Sequence, residues 1–223
     1  MLREDKFGKH IGIRVYYNSQ DDKIQNITRI QLRKESIGKT GKKKINVGLI
    51  GAGNFARTTL LPIIKKIPYV NLRGLATATG ASAIHSGKKF GFQYCTTDYH
   101  QILDDPKIDC VMIVTRHNLH APLVVESLKK GKHVFVEKPL ALSINELKEI
   151  IKAYNETDKI LMVGFMRRFS PFSLKAKEFM GDIIEPIVIN CRVNAGPLPM
   201  DSWIYDPKIG GGRIIGEICH FID

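Results

Sequence analysis

The 223-residue sequence predicts an α/β fold, in which a doubly wound parallel sheet is followed by the start of a second α/β domain. Two observations predict it. From residue 45 to residue 181, short apolar runs alternate with segments whose apolar residues have helical spacing. A glycine-rich turn at 51–56 joins the first apolar run to the first helical segment. Parallel strands connected through helices make right-handed crossovers, so one sheet with helices on both faces is expected.

The elements of this sheet are expected in a regular order. Strands are expected at 45–51, 70–77, 109–115, 132–138 and 159–165. Helices are expected at 55–67, 82–90, 119–131, 147–156 and 170–180. The strands are short apolar runs, which is typical of strands buried on both faces of a parallel sheet. Gly91 and Gly131 are placed to end two of the helices, and Ser143 with Glu146 forms a capping box that opens another.

The two ends of the chain depart from this alternation. Segments 11–18 and 24–32 are rich in Ile, Val and Tyr, and they predict a β-hairpin that belongs to something larger, because a lone hairpin is only marginally stable. After residue 181, a longer strand at 185–196 is expected, then a loop and a helix that begins at residue 213. The predicted division is therefore 1–44 as a basic hairpin and linker, 45–166 as the parallel-sheet domain, and 167–223 as the start of an incomplete second domain.

The positive charge is concentrated in the first segment. The formal net charge is +12, from 34 Lys and Arg against 22 Asp and Glu, and residues 1–44 hold 12 of the basic residues but only 5 of the acidic ones. A polyanion-binding arm would need a clustered basic face or interleaved aromatics, and the only tight cluster is Lys42, Lys43 and Lys44. A nucleic-acid-binding redox sensor is therefore disfavoured, and no nucleic-acid partner is expected.

Membrane, secreted and metal-binding classes are also disfavoured. No apolar run reaches the roughly 18 residues of a membrane span, and no apolar stretch follows the charged first residues as in a secretory signal. We therefore expect a cytoplasmic protein without a membrane partner. The four cysteines form no CxxC pair and no zinc-ligand spacing, so reduced thiols and no metal site are expected.

The turn after the first strand carries the clearest chemical signal. Gly51, Gly53 and Ala56 form a G-x-G-x-x-A motif between a predicted strand and a predicted helix, the context that supports a dinucleotide-binding function. Gly51 permits the tight turn, Gly53 admits a pyrophosphate, and Ala56 allows close helix packing. The backbone N–H groups of Asn54, Phe55 and Ala56 then point at the phosphates. Residues 45–166 are therefore predicted to be a Rossmann domain that binds NAD or NADP.

The choice between NAD and NADP is left open by the second strand. Such a strand normally ends in an acidic residue that binds the ribose 2′-hydroxyl, but here Thr77 takes that place. Without a carboxylate, a 2′-phosphate is not repelled. Lys88 and Lys89 are candidates to bind that phosphate only if their helix faces the site.

Polar side chains follow two later strands, where ligands bind in open α/β sheets. Thr115, His117 and His120 follow one strand, and Glu137 and Lys138 follow the next. All five are candidate cofactor contacts. A lysine beside the nicotinamide can also hydrogen-bond a substrate hydroxyl and stabilise the carbonyl that forms, so Lys138 is a candidate catalytic residue.

A glycine-rich segment introduces the last candidate residues. Gly210, Gly211 and Gly212 allow close backbone approach to a ligand. His220 lies one helical turn after Glu217 and is a candidate general base, with Glu217 as a candidate partner.

Together these segments resemble the Gfo/Idh/MocA family of NAD(P)-dependent oxidoreductases. The markers are GLIGAGNFA, KKGKHVFVEKPLAL, GFMRRF and GGGRIIGEICHFID, and the resemblance covers about residues 45–223. It implies a Rossmann domain, a C-terminal α/β substrate domain that often forms the oligomer interface, and hence a homo-oligomer. It also implies that Lys138 is the catalytic lysine, that His220 is the catalytic histidine, and that Arg167 lies close to the substrate.

Several positions depart from the family pattern. Arg116 and His117 replace Pro and Asn, and Gly216 stands where Asp is frequent, so that Glu217 is a possible substitute one position on. The variants resemble a branch in which this module follows a zinc-type alcohol dehydrogenase-like domain, often with a role in surface-polysaccharide sugar metabolism. The resemblance implies hydride transfer on a sugar or sugar-nucleotide hydroxyl or carbonyl. The missing Asp keeps a second reading open, namely a dinucleotide-binding regulator or scaffold without turnover.

Overall fold

In a computed structural model of the protein, residues 28–33, 44–181 and 184–223 are described. The strands are β1 Arg29–Gln31, β2 Ile45–Ile50, β3 Val70–Ala76, β4 Tyr94–Thr96, β5 Cys110–Ile113, β6 His133–Val136 and β7 Leu161–Val163. The α-helices are α1 Leu61–Ile64, α2 Gly80–Phe90, α3 His100–Leu103, α4 His120–Lys129, α5 Ile144–Asn155, α6 Pro171–Met180 and α7 Cys219–Ile222. Short helical turns of other types precede α1 at Ala56–Leu60, α4 at His117–Leu119 and α7 at Ile214–Ile218.

The strands form one seven-stranded sheet in the order β1-β4-β3-β2-β5-β6-β7. Strands β2 to β7 pair in parallel, whereas β1 pairs antiparallel with β4. From β2 the chain first builds outward through β3 and β4, then returns to the other side of β2 as β5. The predicted doubly wound sheet is confirmed, and its strand order reverses beside β2, where such sheets bind ligands.

Neighbouring residues of the central strands supply two separate cores. Leu49 packs on one face of the sheet with residues of α1 and α2, and Ile50 packs on the other face with residues of α4 and α5. Leu75 and Ala76 divide in the same way. Successive side chains of a strand point to opposite faces, so a continuous apolar run is what a sheet covered on both sides requires.

The predicted helix boundaries are confirmed at two glycines and one capping box. Gly91 has a φ of 80° at the end of α2, and Gly131 has a φ of 68° just after α4. At the start of α5, the Ser143 side chain accepts the Glu146 N–H, and the Glu146 carboxylate accepts the Ser143 N–H in return.

The strand expected at 185–196 is wrong, because residues 184–199 form no helix or strand. Ile184 and Val188 are 93% and 90% exposed. A strand needs a neighbour to accept and donate its backbone hydrogen bonds, and this segment pairs with none of the seven described strands. The helical prediction from residue 213 is confirmed by the turns at Ile214–Ile218 and Cys219–Ile222.

The first half of the expected hairpin, 11–18, lies outside the described residues. The described part of the second half is β1, whose partner is the sheet edge: Ile30 lies opposite Cys95 of β4. The next residue but one, Leu32, packs against the core of the sheet. Within the described ranges, no helix has the length and apolar character to cross a membrane.

Candidate active site

A cleft of about 1270 Å³ opens at the carboxyl ends of β2, β3, β5 and β6. The residues that line it include all the predicted site residues except Arg167. They are Gly51, Gly53, Asn54, Phe55, Ala56, Thr77, Thr115, His117, His120, Glu137, Lys138, Glu217 and His220. The cleft therefore combines residues of the parallel sheet with residues of the helical segment at 213–222, which follows the three glycines at 210–212.

The turn after β2 has the shape that a dinucleotide phosphate requires. Gly51 has a φ of 95°, and a Cβ there would lie 2.3 Å from the carbonyl oxygen of Val114. At Gly53 a Cβ would meet no atom within 4 Å, so this stretch of backbone is open to the cleft. Ala56 is fully buried and lets the helix approach the sheet. The turn fits the pyrophosphate of NAD or NADP, whose charge the following N–H groups would stabilise.

The end of β3 offers hydroxyl groups rather than a carboxylate. Thr77 Oγ1 donates to the carbonyl oxygen of Thr79 at 2.8 Å, and both residues line the cleft together with Ser82. Lys88 and Lys89 lie in the last turn of α2, roughly 12 Å along the helix axis from its start, and neither lines the cleft. The condition for these lysines to bind a 2′-phosphate is therefore not met in this arrangement.

His120 and His117 are buried and bonded to backbone carbonyls. His120 is fully buried, and its Nδ1 donates to the carbonyl oxygen of Pro139 at 2.7 Å, while Nε2 lies 3.3 Å from that of Thr115. His117 Nδ1 donates to the carbonyl oxygen of Gly210 at 2.8 Å. Burial lowers the pKa of both rings, to about 4 for His117. Both are therefore neutral near pH 7.

Lys138 and Glu137 extend from the end of β6 into the cleft. The Nζ of Lys138 donates to the carbonyl oxygen of Gly216, in the segment before α7. Burial raises the pKa of Glu137, although the backbone N–H and the charge of Lys138 oppose this rise. A Cβ at Gly164 would lie 2.8 Å from Glu137 Oε1, so this carboxylate packs directly on the backbone that follows β7.

His220 lines the same cleft as Lys138 and lies within electrostatic range of its charge. Its Nδ1 is buried and has no hydrogen-bond partner among the described residues. Burial lowers the pKa of His220, and the charges of Lys138 and Arg167 lower it further against the opposing charge of Asp223. The ring is therefore a neutral imidazole near pH 7, the form that accepts a proton.

Glu217 and Arg167 are placed differently from Lys138 and His220. The Glu217 carboxylate accepts from Arg213 Nε at 2.8 Å, so it pairs within its own helix and not with His220 Nδ1. Arg167 lies outside the cleft lining, with its guanidinium 4.5 Å from the ring centroid of Phe221. Its effect on the site is electrostatic, through His220.

The sequence reasoning missed Trp203, which lines the cleft. Its ring centroid lies 4.8 Å from that of His117 in an edge-on arrangement, and the Arg116 guanidinium lies 5.7 Å above it. The one available signal was that the only tryptophan of the chain lies shortly before the three glycines.

Comparisons with known proteins agree with this geometry. The model of the Gfo/Idh/MocA oxidoreductase family, NAD-binding Rossmann fold, matches residues 45–165. The chain is 30% identical over 195 residues to levoglucosan dehydrogenase of Pseudarthrobacter phenanthrenivorans, which covers 81% of this chain and 50% of that protein. It is 32% identical over 182 residues to scyllo-inositol 2-dehydrogenase (NAD(+)) of Bacillus subtilis, which covers 81% of this chain and 52% of that protein.

Solved structures show the same relationship. Levoglucosan dehydrogenase in complex with NADH and levoglucosan matches with a TM-score of 0.67 and 28% identity, over 80% of this chain and 52% of that one. The chain thus spans about half the length of the curated relatives it matches. From its family match and its glycine-rich turn, the chain belongs to the Gfo/Idh/MocA oxidoreductase family with an NAD-binding Rossmann fold.

Proposed function

We propose that the protein is an NAD(P)-dependent oxidoreductase that transfers a hydride between the nicotinamide and a hydroxyl or carbonyl of a sugar or sugar nucleotide. One observation carries the proposal: Lys138 and His220 line the same cleft as the phosphate-binding turn at 51–56. The relatives named levoglucosan dehydrogenase and scyllo-inositol 2-dehydrogenase support a cyclic polyol or sugar as the substrate class.

The two residues have complementary roles in the oxidation direction. The turn at 51–56 would hold NAD(P)⁺, which when bound would supply the hydride acceptor for the carbinol carbon. His220 takes the hydroxyl proton, because its lowered pKa keeps it neutral near pH 7. Lys138, whose ammonium donates to a carbonyl oxygen at the cleft wall, donates to the substrate oxygen and stabilises its developing negative charge.

The hydroxyl-lined end of β3 bears on the choice of cofactor. Thr77 and Thr79 place no negative charge beside the ribose site. We propose that the cleft accepts both NAD and NADP, since a 2′-phosphate meets no carboxylate there. Titrations with NADH and NADPH measure this preference directly.

A second function is favoured by one observation. Gly216 has no side chain and Glu217 is paired with Arg213, so neither residue supplies His220 with a carboxylate partner. A cleft that binds the dinucleotide without turnover would serve a regulator or scaffold.

One experiment separates the two functions. The protein is titrated with NADH and NADPH by fluorescence, and turnover is measured on a panel of sugars, inositols and sugar nucleotides. We expect Lys138→Ala to bind the cofactor within about twofold of wild type and to lose at least about 100-fold in hydride transfer. The exposed Lys148→Ala is the matched control and should retain both.

The outcomes are distinct. Cofactor binding without turnover on any substrate, in wild type as in Lys138→Ala, would favour the regulator. Failure to bind either dinucleotide would exclude both functions, and unchanged turnover in Lys138→Ala would remove this lysine from the mechanism.

A further inference from the structure

His117 connects the two walls of the cleft. Its Nδ1 donates to the carbonyl oxygen of Gly210 at 2.8 Å, and the N–H of Asn118 donates to the carbonyl oxygen of Ile209 at 3.1 Å. The edge-on contact with Trp203 adds a third point of attachment. The turn that follows β5 is therefore hydrogen-bonded directly to residues 209–210, at the start of the glycine-rich segment that precedes residues 213–222.

The same ring lies against the backbone of Gly216. A Cβ at this position would lie 3.1 Å from His117 Cε1 and 3.3 Å from the carbonyl oxygen of Gly210, closer than ordinary van der Waals contact. The imidazole thus takes up the space that a side chain at position 216 would need. A side chain at position 216 therefore requires the His117 ring to move by a few tenths of an ångström, and removal of the ring relieves this part of the crowding.

Gly216 in turn holds Lys138. Its carbonyl oxygen accepts the hydrogen bond from Lys138 Nζ. The contacts therefore run in sequence from the His117 ring to the Gly216 backbone, and from the Gly216 carbonyl to the lysine ammonium. A shift of the ring moves the carbonyl that holds the ammonium.

We propose that His117 is a positioning residue that sets the place of the Lys138 ammonium through the backbone of Gly216, and that positions 117 and 216 are energetically coupled. The catalytic importance of this arrangement rests on the proposed function, in which Lys138 contacts the substrate. The coupling itself does not depend on turnover.

The groups around Lys138 are mostly neutral, which is consistent with such positioning. His117, His120 and His220 lie within electrostatic range of its ammonium and are held neutral, as is the thiol of Cys219. Glu137, next to it in the chain, is the acidic residue that interacts with it. Among the described residues, the hydrogen bond to the Gly216 carbonyl is therefore a direct contact that orients the ammonium.

The test has two measurements on the whole chain. The first is the side-chain ¹⁵N resonance of Lys138 in lysine-labelled protein, assigned with Lys138→Arg. We expect His117→Ala to shift this resonance. His117→Asn, whose amide N–H can donate to the Gly210 carbonyl, should bring the chemical shift part of the way back to the wild-type value. The exposed His85→Ala is the control and should leave the resonance unchanged. A resonance that is the same in all three variants would overturn the positioning role.

The second measurement is a double-mutant cycle by thermal unfolding. Gly216→Ala is made in the wild type and in His117→Ala. We expect the change in the midpoint temperature of unfolding caused by Gly216→Ala to be more favourable by about 2–8 °C in His117→Ala, where the ring is absent, than in the wild type. The matched control is Gly80→Ala, where a Cβ meets no atom closer than 4.0 Å, and its effect should be the same in both backgrounds. Additive effects of the 117 and 216 substitutions would refute the coupling.

The design keeps the two proposals separate. If His117→Ala does not fold, His117→Ser, which also removes the ring, replaces it in both measurements. A shifted lysine resonance and a non-additive cycle in a protein without turnover would support the positioning role and reject the catalytic function. Normal turnover with an unchanged Lys138 resonance would support the catalytic function and reject the positioning role.

Discussion

Residues 44–165 and residues 184–223 share one cleft but bury their apolar side chains to very different extents. In the first region Leu49, Leu75 and Ile113 are fully buried between the sheet and its helices. In the second, Val188 and Ile214 are 90% and 70% exposed. The first region is stabilised by its own core, whereas the second is held by specific contacts such as that between His117 and Gly210.

The difference shows how the work of the site is divided. Lys138 comes from the region with the dense core, and His220 comes from the region with exposed apolar residues. The glycine turn at 51–56 therefore lies on a rigid element, while His220 belongs to a region held in place by a few hydrogen bonds. Stability and site geometry should therefore respond to different substitutions.

The largest effect is expected at a buried ion pair in the first region. Arg73 Nε donates to Asp105 Oδ2 at 2.7 Å, and both residues are only 6% exposed. Arg73→Met leaves the carboxylate buried without its main partner and should lower the free energy of unfolding by about 3–5 kcal/mol. Urea denaturation measures the loss, with the exposed Arg57→Met as control. A loss below about 1 kcal/mol would contradict the expected cost of an uncompensated buried charge.

The same pair predicts a dependence on pH. Burial alone would raise the pKa of Asp105, but the hydrogen bond from Arg73 and those from Lys107 N–H and Tyr94 hold it below its ordinary value. A lowered folded-state pKa contributes stability above the unfolded-state value of about 3.9, and this contribution is lost as the pH falls through the folded-state pKa. Unfolding free energies at pH 7 and pH 3 should therefore differ less in Arg73→Met than in wild type.

A matched pair of apolar substitutions tests the contrast itself. Leu75→Ala should cost about 2–5 kcal/mol, because it opens a cavity in a filled core. Val188→Ala should change the free energy of unfolding by less than about 0.5 kcal/mol, because the side chain is already exposed. Denaturation under identical conditions compares them. Equal losses would show that the second region contributes a core of its own and would remove the contrast.

The smallest effect is expected at a helix end in the first region. The Ser143 hydroxyl accepts the Glu146 N–H at 3.2 Å, so Ser143→Ala should lower the free energy of unfolding by about 1 kcal/mol. Asn145→Ala, an exposed change in the same helix turn, is the control. If the two variants are equally stable, this capping box contributes nothing measurable.

The sequence predicted well what depends on short-range patterns. The capping box at Ser143, the turn at Gly51 and most strands and helices of 44–181 follow from residues close together in the chain. The short strand β4 and the short helix α3 were not predicted. The turn at 51–56 requires glycines where the backbone turns sharply and where a phosphate approaches, and a small residue where the helix packs; the spacing of Gly51, Gly53 and Ala56 meets these requirements directly.

The remaining features depend on contacts between distant segments. Pairing of Glu217 with Arg213 and of His117 with Gly210 is decided by where residues 203–222 pack, which no local pattern reports. The strand expected at 185–196 is wrong for the same reason, because a segment of high β-propensity forms a strand only where a partner strand is available. The packing of His117 on Gly216 likewise depends on a contact between residues far apart in the chain.

The antiparallel edge strand β1 gives the basic segment a structural use. It covers the outer side of β4, and Leu32 beside it packs so closely on α2 that a Cβ at Gly87 would lie 2.4 Å from its Cδ1. A shortened form that began at residue 44 would therefore uncover a sheet edge and open a gap over α2. Exposed edges recruit strands from other molecules, so such a form would tend to self-associate even with its cofactor turn intact.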